Sequence, residues 1–330
     1  MIGEINRLLV IKPSSLGDLF HALPTVHLIK QHTGASVDWV ANRPYASLVA
    51  CFDPVDRVLS FPRHDFWQNR RAFLSELRQE SYDLVLDMQG LMKSAVMARA
   101  ARAPRILGPS FHREGSHWLY HEVAGARNKH RHAVEENLDM LDALGIPRGD
   151  VVFPATFPSP ELPVDNRPRI GVIPRSRWET KNWPVSHFAA VCERLITDRG
   201  ASIHLFGARE DGAACHELEQ ALSGGAMNHC GNTALPELGG WLRAMDLVLC
   251  VDTGPMHMAA AVGTPVLAVF GATEAQRTGP YGLQHRVMVR EDLPCRPCLS
   301  RTCKLRERDI RCLTGLDPDR VGDAALAMLG

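Results

Sequence analysis

The stretch VIKPSSLGDLFHALP, residues 10–24, decides the fold. An apolar segment, LLVIK (8–12), ends in Pro13-Ser14-Ser15-Leu16-Gly17-Asp18 and passes directly into an apolar-periodic segment, Leu19–His32. That is a strand, a tight loop and a helix, the opening of a nucleotide-binding fold. The dinucleotide fingerprint of that fold needs three glycines, G-x-G-x-x-G, and this loop has only Gly17. The loop therefore has another task. Asp18 has an ordinary explanation as a helix cap or dipole partner, because carboxylates at helix starts usually serve that way.

The same alternation continues outward. Strands are expected at VDWVA (37–41), RVLSF (57–61), DLVLDM (83–88) and RILG (105–108), with helices over Phe66–Gln79 and Leu91–Ala101. HAVEENLDMLDALG (132–145) reads as a helix stopped by Gly145 and Pro147. A proline-rich stretch, FPATFPSPELPVDNRPR, carries Pro154, Pro158, Pro160, Pro163 and Pro168 and reads as a linker. The pattern then restarts with RIGVIP, a helix from Pro184, SIHLFGA, a helix to about Leu222, DLVLCVDT, a further helix, PVLAVFGA and HRVMVR. The fold class is α/β, with two doubly wound parallel-sheet halves. Ligands of such sheets bind beyond the carboxyl ends of the strands, and a cleft between two halves is the natural site.

Bulk properties exclude several classes. With 330 residues, 45% hydrophobic and 22% charged, the chain is long enough for two domains. Zero net charge and a pI near 7.2 argue against a nucleic-acid binder. Between Arg57 and Arg131, however, thirteen Lys/Arg face seven Asp/Glu. That excess is either a solvated face or a groove for an anionic substrate. Met1–Arg7 is polar and the apolar run after it is short, so no signal peptide is expected. Thr253–Thr273 lacks Asp, Glu, Lys and Arg, yet Gly254, Pro255, Gly263, Pro265 and Gly271 break it into a helix and a strand of buried core.

Two loops carry charge chemistry. In LVLCVDTGPMHMAAAVGTPVLAVFGATEAQRTGPYG (247–282), a strand ends at Asp252 and Thr253-Gly254-Pro255 opens a helix. Pro255 suits a first helical turn, and the N–H groups and dipole there attract an anion such as phosphate. A plain N-cap by Asp252 or Thr253 is the alternative. In GVIPRSRWETKNWPVSHF (171–188), Arg175, Ser176, Arg177 and Lys181 follow the end of a strand, which suits a pyrophosphate or else a solvated loop. Neither a P-loop nor a dinucleotide fingerprint is present at either place.

IKPSSLGDLFHALP, DMQGLMKSA (87–95), HAVEENLDMLDALG, ETKNWP and VDTGPMHMAAAVGTPVLAVFGAT with RTGPYG together resemble, in order and spacing, the ADP-heptose:lipopolysaccharide heptosyltransferases, glycosyltransferase family 9. The likeness spans nearly the whole chain and is greatest to members that add the first heptose to Kdo. It implies a GT-B architecture of two Rossmann-like domains facing a central cleft. Residues 1–160 would bind the acceptor, 161–316 the ADP-sugar donor, and 317–330 would form a helix packing back on the N-terminal domain. It implies Asp18 as general base and Lys181 as a contact of the donor diphosphate. Ser176, Arg177, Asp252, Thr253, Gly254 and His257 would join the donor site, with Glu210 (Asp211 as alternative) on the ribose and Thr233 near the adenine. Ser15, Gly17, Arg63, Arg70, Arg71, Gln89 and Lys93 would face the acceptor.

The chemistry so implied is an inverting displacement. Negative charge grows on the leaving diphosphate and is met by Lys181 and the helix start at Gly254. A carboxylate takes the proton of the acceptor hydroxyl. Cations and a dipole already hold the diphosphate, so no cofactor is expected for catalysis. The implied partners are ADP-heptose and Kdo-lipid A, with no nucleic acid. The implied location is cytoplasmic, in peripheral contact with the inner membrane. Rival readings are a later heptose transfer, a GT-B-shaped sugar-nucleotide epimerase and a non-catalytic sugar-nucleotide-binding protein.

Nine cysteines without a secretory signal argue against a disulfide framework. Cys295, Cys298, Cys303 and Cys312 are spaced C-x2-C-x4-C-x8-C, which suits a structural four-thiolate Zn²⁺ or Fe–S site. A redox-labile pair or buried thiols are the alternatives.

Overall fold

The computed structural model describes residues 4–162, 166–305 and 309–330. Met1–Gly3, where the signal-peptide reading began, Pro163 of the proline-rich stretch, and residues 306–308 between Cys303 and Cys312 lie outside the described residues. The chain divides into two compact units, Met1–Thr156 and Phe157–Gly330.

The first unit holds six parallel strands: β1 (Arg7–Ile11), β2 (Ser36–Asn42), β3 (Arg57–Phe61), β4 (Leu84–Asp87), β5 (Arg105–Pro109) and β6 (Glu122–Ala124). Their spatial order is β3-β2-β1-β4-β5-β6. The second unit holds β7 (Arg169–Ile173), β8 (Ser202–Leu205), β9 (Met227–Asn228), β10 (Leu247–Val251), β11 (Val266–Phe270) and β12 (Arg286–Val289). All its pairings are parallel and its order is β12-β11-β10-β7-β8-β9. Counted from each unit's first strand, both sheets have the 3-2-1-4-5-6 order of the Rossmann fold. The chain direction reverses between β1 and β4 in one unit and between β7 and β10 in the other. These are the switch points at which such sheets take ligands.

Sequence chemistry explains the central strands. Leu8 to Ile11 and Leu247 to Val251 are fully buried, as uninterrupted apolar runs must be when helices cover both faces. Register then fixes the loops. Ile11 sits opposite Asp87, so β1 and β4 release their loops at the same level. The helix after β1 spans Leu16–Thr33, three residues earlier than the apolar period suggests, because Ser15 and Asp18 form a capping box that starts it sooner. Gly34, at φ 70°, ends it in the left-handed conformation.

Three features differ from the sequence reading. β6 and β9, of three and two residues, are too short for a periodic signal. The helix Leu235–Arg243 contains Gly239-Gly240, which reads as a break. Here the glycines serve packing instead: a Cβ on Gly240 would lie 1.7 Å from the Pro158 carbonyl oxygen, and one on Gly239 2.5 Å from the Phe157 ring. The proline-rich stretch is not a free linker throughout. Ala155 bridges Phe52, Asp53 N–H donates to the Pro154 carbonyl and Thr156 N–H to that of Cys51, so the chain stays with the first unit through Thr156.

The C-terminal helix, Pro318–Leu329, packs on the helix Val185–Arg199 of the second unit. Asp317 caps it, Arg194 pairs with Asp323 at 2.6 Å, and Val321, Ala324 and Ala325 enter the second core. Trp183, fully buried against Phe188, donates its indole N–H to the Leu316 carbonyl at 3.3 Å and so anchors the approach to this helix. Trp183→Ala should destabilise the second unit by about 3–5 kcal/mol in chemical denaturation. A loss below about 1 kcal/mol would show that the site collapses around the missing ring and that Trp183 is not the anchor.

Candidate active site

At the second unit's switch point, β7 releases a loop that ends in a 3₁₀ turn, Glu179–Lys181. Ser176 N–H donates to the Asn182 side-chain oxygen at 2.7 Å, which closes the loop on itself. Lys181 Nζ reaches back to Asp252 Oδ2 at 2.7 Å and lies 4.8 Å from the centre of the Trp178 ring. Asp252, the first residue after β10, is buried and also accepts a hydrogen bond from the Thr273 hydroxyl. Its carboxylate is therefore spent on Lys181 and Thr273 and does not cap the helix that follows. That helix, Gly254–Ala261, has Thr253 at its N-cap position without a side-chain cap hydrogen bond, and Pro255 in its first turn. The start of this helix therefore carries no side-chain cap. First-turn N–H groups have no intrahelical acceptor, and the helix dipole adds a positive field there.

The segment after β12 braces these loops. Arg296 donates to the carbonyls of Gly271 and Thr273, the Thr180 hydroxyl to the Ser300 carbonyl at 2.6 Å, and the Arg301 guanidinium lies 5.3 Å from the Trp178 ring. This segment carries the cysteine cluster. Among the described residues no group of three or more His, Cys, Asp or Glu is gathered to hold a metal ion, and the four thiols are free. Cys295, Cys298 and Cys303 lie close enough to Cys312 for their charges to act on its thiol. The Cys303 thiol donates to the Asp309 carbonyl, Cys295 is exposed, and Cys312 is half-buried against the second core, where burial pushes its thiol pKa up. No catalytic step is assigned to a metal at these residues.

At the first unit's switch point, Asp18 is the third residue of its helix. Its Oδ2 accepts from the Ser15 N–H at 2.9 Å and the Ser15 hydroxyl at 2.8 Å. Its Oδ1 lies 3.7 Å from His21 Nδ1, and the side chain is 42% exposed. Lys12, directly after β1, is buried and donates to the Met88 carbonyl at 2.7 Å. Burial pushes the Lys12 pKa down, against the fields of Asp18 and Asp87. Burial would raise the Asp18 carboxyl, but the Lys12 ammonium, His21 and the Ser15 N–H outweigh it and hold Asp18 well below the usual carboxylate range. Asp87 accepts from the N–H groups of Gln89 and Gly90 and from the Tyr120 hydroxyl, and burial raises its pKa. Gln89 in turn accepts from the Ser14 N–H at 3.2 Å, joining the two loops. His132, of the HAVEENL motif, lies 5.5 Å ring to ring from His21.

The structure thus gathers Ser15, Gly17, Asp18 and Gln89 in the first unit, and Ser176, Lys181, Asp252, Thr253, Gly254 and His257 in the second. Arg177 is exposed on the same loop as Ser176. Glu210 is exposed, whereas Asp211 accepts from the Ala208 N–H at 2.9 Å and caps its own turn. Thr233 is half-buried in the turn after β9, near His229, which stacks on Phe206 and contacts Trp241 at 4.3 Å. Lys93, Arg63, Arg70 and Arg71 are exposed on flanking helices and loops, away from Asp18's hydrogen bonds. The sequence reading missed Lys12, Trp178 and Arg296. Only Lys12 left a signal, as a charge ending an apolar strand.

Comparison with known proteins agrees with this arrangement. Residues 70–308 match the family model described as glycosyltransferase family 9 (heptosyltransferase). The chain is 30% identical over 351 aligned positions to lipopolysaccharide heptosyltransferase 1 of Pseudomonas aeruginosa, covering 98% of both chains. In fold it is similar to the Escherichia coli ADP-heptose lipopolysaccharide heptosyltransferase II (TM-score 0.78, 22% identity, 98% of each chain). It is likewise similar to E. coli heptosyltransferase WaaC with ADP (TM-score 0.77, 24% identity, 98% and 99%). Two 3-2-1-4-5-6 sheets, with a carboxylate at one switch point and a lysine and helix start at the other, belong here to a glycosyltransferase, and the chain is a member of glycosyltransferase family 9, the heptosyltransferases.

Proposed function

We propose that this enzyme transfers L-glycero-D-manno-heptose from ADP-heptose to Kdo of the lipopolysaccharide inner core, inverting the anomeric centre. One observation carries the reading: Asp18 is oriented by Ser15 at one switch point, while Lys181 lies beside the uncapped Gly254 helix start at the other. The relative named heptosyltransferase 1, alike over the whole chain, supports the first-heptose step. The similar fold of WaaC with ADP supports an ADP-bearing donor.

The roles follow from charge. A carboxylate repels a diphosphate, so Asp252 contributes through the lysine it holds. Lys181 and the Gly254 helix start meet the charge that grows on the leaving ADP. Ser176, Arg177, Thr253 and His257 border that charge, Glu210 holds the ribose, and Thr233 lies near the adenine. Asp18 accepts the proton of the attacking hydroxyl. The contacts that orient it also lower its basicity, so the hydroxyl must take the place of Ser15 on Oδ2 as the proton moves. Ser15, Gly17, Gln89, Lys93, Arg63, Arg70 and Arg71 face the anionic acceptor. The enzyme works at the cytoplasmic face of the inner membrane, in peripheral contact. Among the described residues no helix is long and apolar enough to cross a membrane.

With ADP-heptose and Kdo₂-lipid A, ADP release should depend on the acceptor, and an acceptor already carrying the first heptose should give none. Release only with the heptosylated acceptor would move the enzyme to a later step, and release with neither would remove the reading. Asp18→Asn should lower kcat by about 10²–10⁴-fold with the KM for ADP-heptose nearly unchanged. Full activity in that variant would remove the base assignment.

The pH profile tests the role of Lys12. Because Asp18 is held low, its proton returns only in strong acid, and wild-type kcat/KM should stay level far into the acid range. Lys12→Met removes the neighbouring cation, so the Asp18 pKa rises and the acid limb should move up by about one pH unit or more. An unmoved limb would show that Lys12 does not set the charge of Asp18.

A further inference from the structure

Of the six tryptophans, Trp39 and Trp183 are fully buried and Trp178 and Trp241 half-buried, but Trp67 and Trp118 are 76% and 78% exposed. Tryptophan is enriched at interfaces and at membrane–water boundaries, where its apolar body and polar N–H meet different surroundings. Trp67 lies in the first turn of the helix Phe66–Leu77, after β3, and Trp118 in the 3₁₀ turn Ser116–Leu119, after β5. Trp67 follows the carboxyl end of β3, and Ser116, two residues before Trp118, donates its hydroxyl to the Gly90 carbonyl in the loop after β4, which places both segments toward the carboxyl edge, the edge where Asp18 follows β1. In the order β3-β2-β1-β4-β5-β6, β3 and β5 are each two strands from β1. At normal strand spacing these two strands lie about 10 Å to either side of β1.

The edge is basic. Arg63, Arg70 and Arg71 surround Trp67, and the Arg70 guanidinium lies 5.9 Å from its ring centre. Lys93 lies in the first turn of the helix Met92–Ala100, Arg113 in the loop before Trp118, and Arg127 and Lys129 follow β6, all exposed. The two carboxylates in these segments are engaged: Asp65 with Arg43, and Glu114 with the Met92 N–H. Indole rings prefer the headgroup level of a bilayer, and clustered cations are drawn to anionic lipid. A second copy of the same face would instead set these cations against one another.

We propose that this edge of the first unit docks on an anionic lipid bilayer, with Trp67 and Trp118 seated among the headgroups on either side of Asp18. A saccharide projecting from the bilayer then meets the carboxylate between them. The proposal rests on the reading of a lipid-linked acceptor given above.

Sedimentation with phosphatidylcholine vesicles, with and without phosphatidylglycerol, tests it. The wild-type protein should bind the anionic vesicles, shift its tryptophan emission to the blue, and come off at high salt. The double variant Trp67→Ala/Trp118→Ala should bind about tenfold more weakly without the shift, and lose turnover on vesicle-embedded acceptor. Its turnover on a deacylated, lipid-free acceptor should be unchanged. Equal vesicle binding by the variant would overturn the proposal, as would loss of turnover on the lipid-free acceptor, which would place the rings on the saccharide. Vesicle binding that depends on the two rings, in a wild-type protein that releases no ADP, would support the docking surface while removing the heptosyl-transfer reading.

Discussion

A lysine ammonium held near the carboxylate at the end of a neighbouring strand is the constraint on which both sites depend. In the second unit Lys181 spans the switch point to Asp252 at 2.7 Å. In the first, Lys12 lies buried in the fields of Asp18 and Asp87 and is tied to the Met88 carbonyl. A buried charge without its partner is strongly destabilising, so the Lys181–Asp252 pair fixes the spacing of its two loops, while the Lys12–Met88 bond ties β1 to the end of β4. The consequences differ. Lys181 is held by Asp252 and keeps 16% of its side chain exposed. Lys12, His21 and the Ser15 N–H together hold the Asp18 carboxyl low, and its side chain is 42% exposed.

This division follows from using the same sheet twice. Both units reverse chain direction between their first and fourth strands, and a 3-2-1-4-5-6 sheet presents two loops there and no others so close together. What distinguishes the units is loop content. Pro174–Lys181 and Thr253-Gly254-Pro255 offer cations, a hydroxyl and a helix start, a set suited to a diphosphate. Ser14–Asp18 and Gln89-Gly90 offer acceptors and a carboxylate, a set suited to sugar hydroxyls.

Much of this was legible in the sequence because its causes are local. The runs Leu8–Ile11 and Leu247–Val251 are apolar without interruption, as doubly covered parallel strands must be, and β-strand and helix alternation gave both halves. The elements that were not legible are the ones whose causes lie elsewhere in the chain. Gly239-Gly240 sits inside a helix because the Phe157–Pro158 backbone passes over it. Pro154 to Thr156 belongs to the first unit because Cys51 and Asp53 pair with it. The site divides in the same way. Asp18, Lys181 and Asp252-Thr253-Gly254 lie in motifs whose spacing the chain displays, and Trp178 is in the Lys181 loop, whereas Arg296 reaches the site through tertiary packing.

The central claim is that the leaving nucleotide is held by the second unit independently of the base in the first. Calorimetric titration with ADP alone addresses it most directly, in the wild-type enzyme, Lys181→Gln and Asp18→Asn. Lys181→Gln should weaken ADP by about tenfold or more, because a charge-assisted contact to phosphate is lost, while Asp18→Asn should bind ADP as the wild type does. Undiminished ADP affinity in Lys181→Gln, or an equal loss in Asp18→Asn, would contradict the assignment.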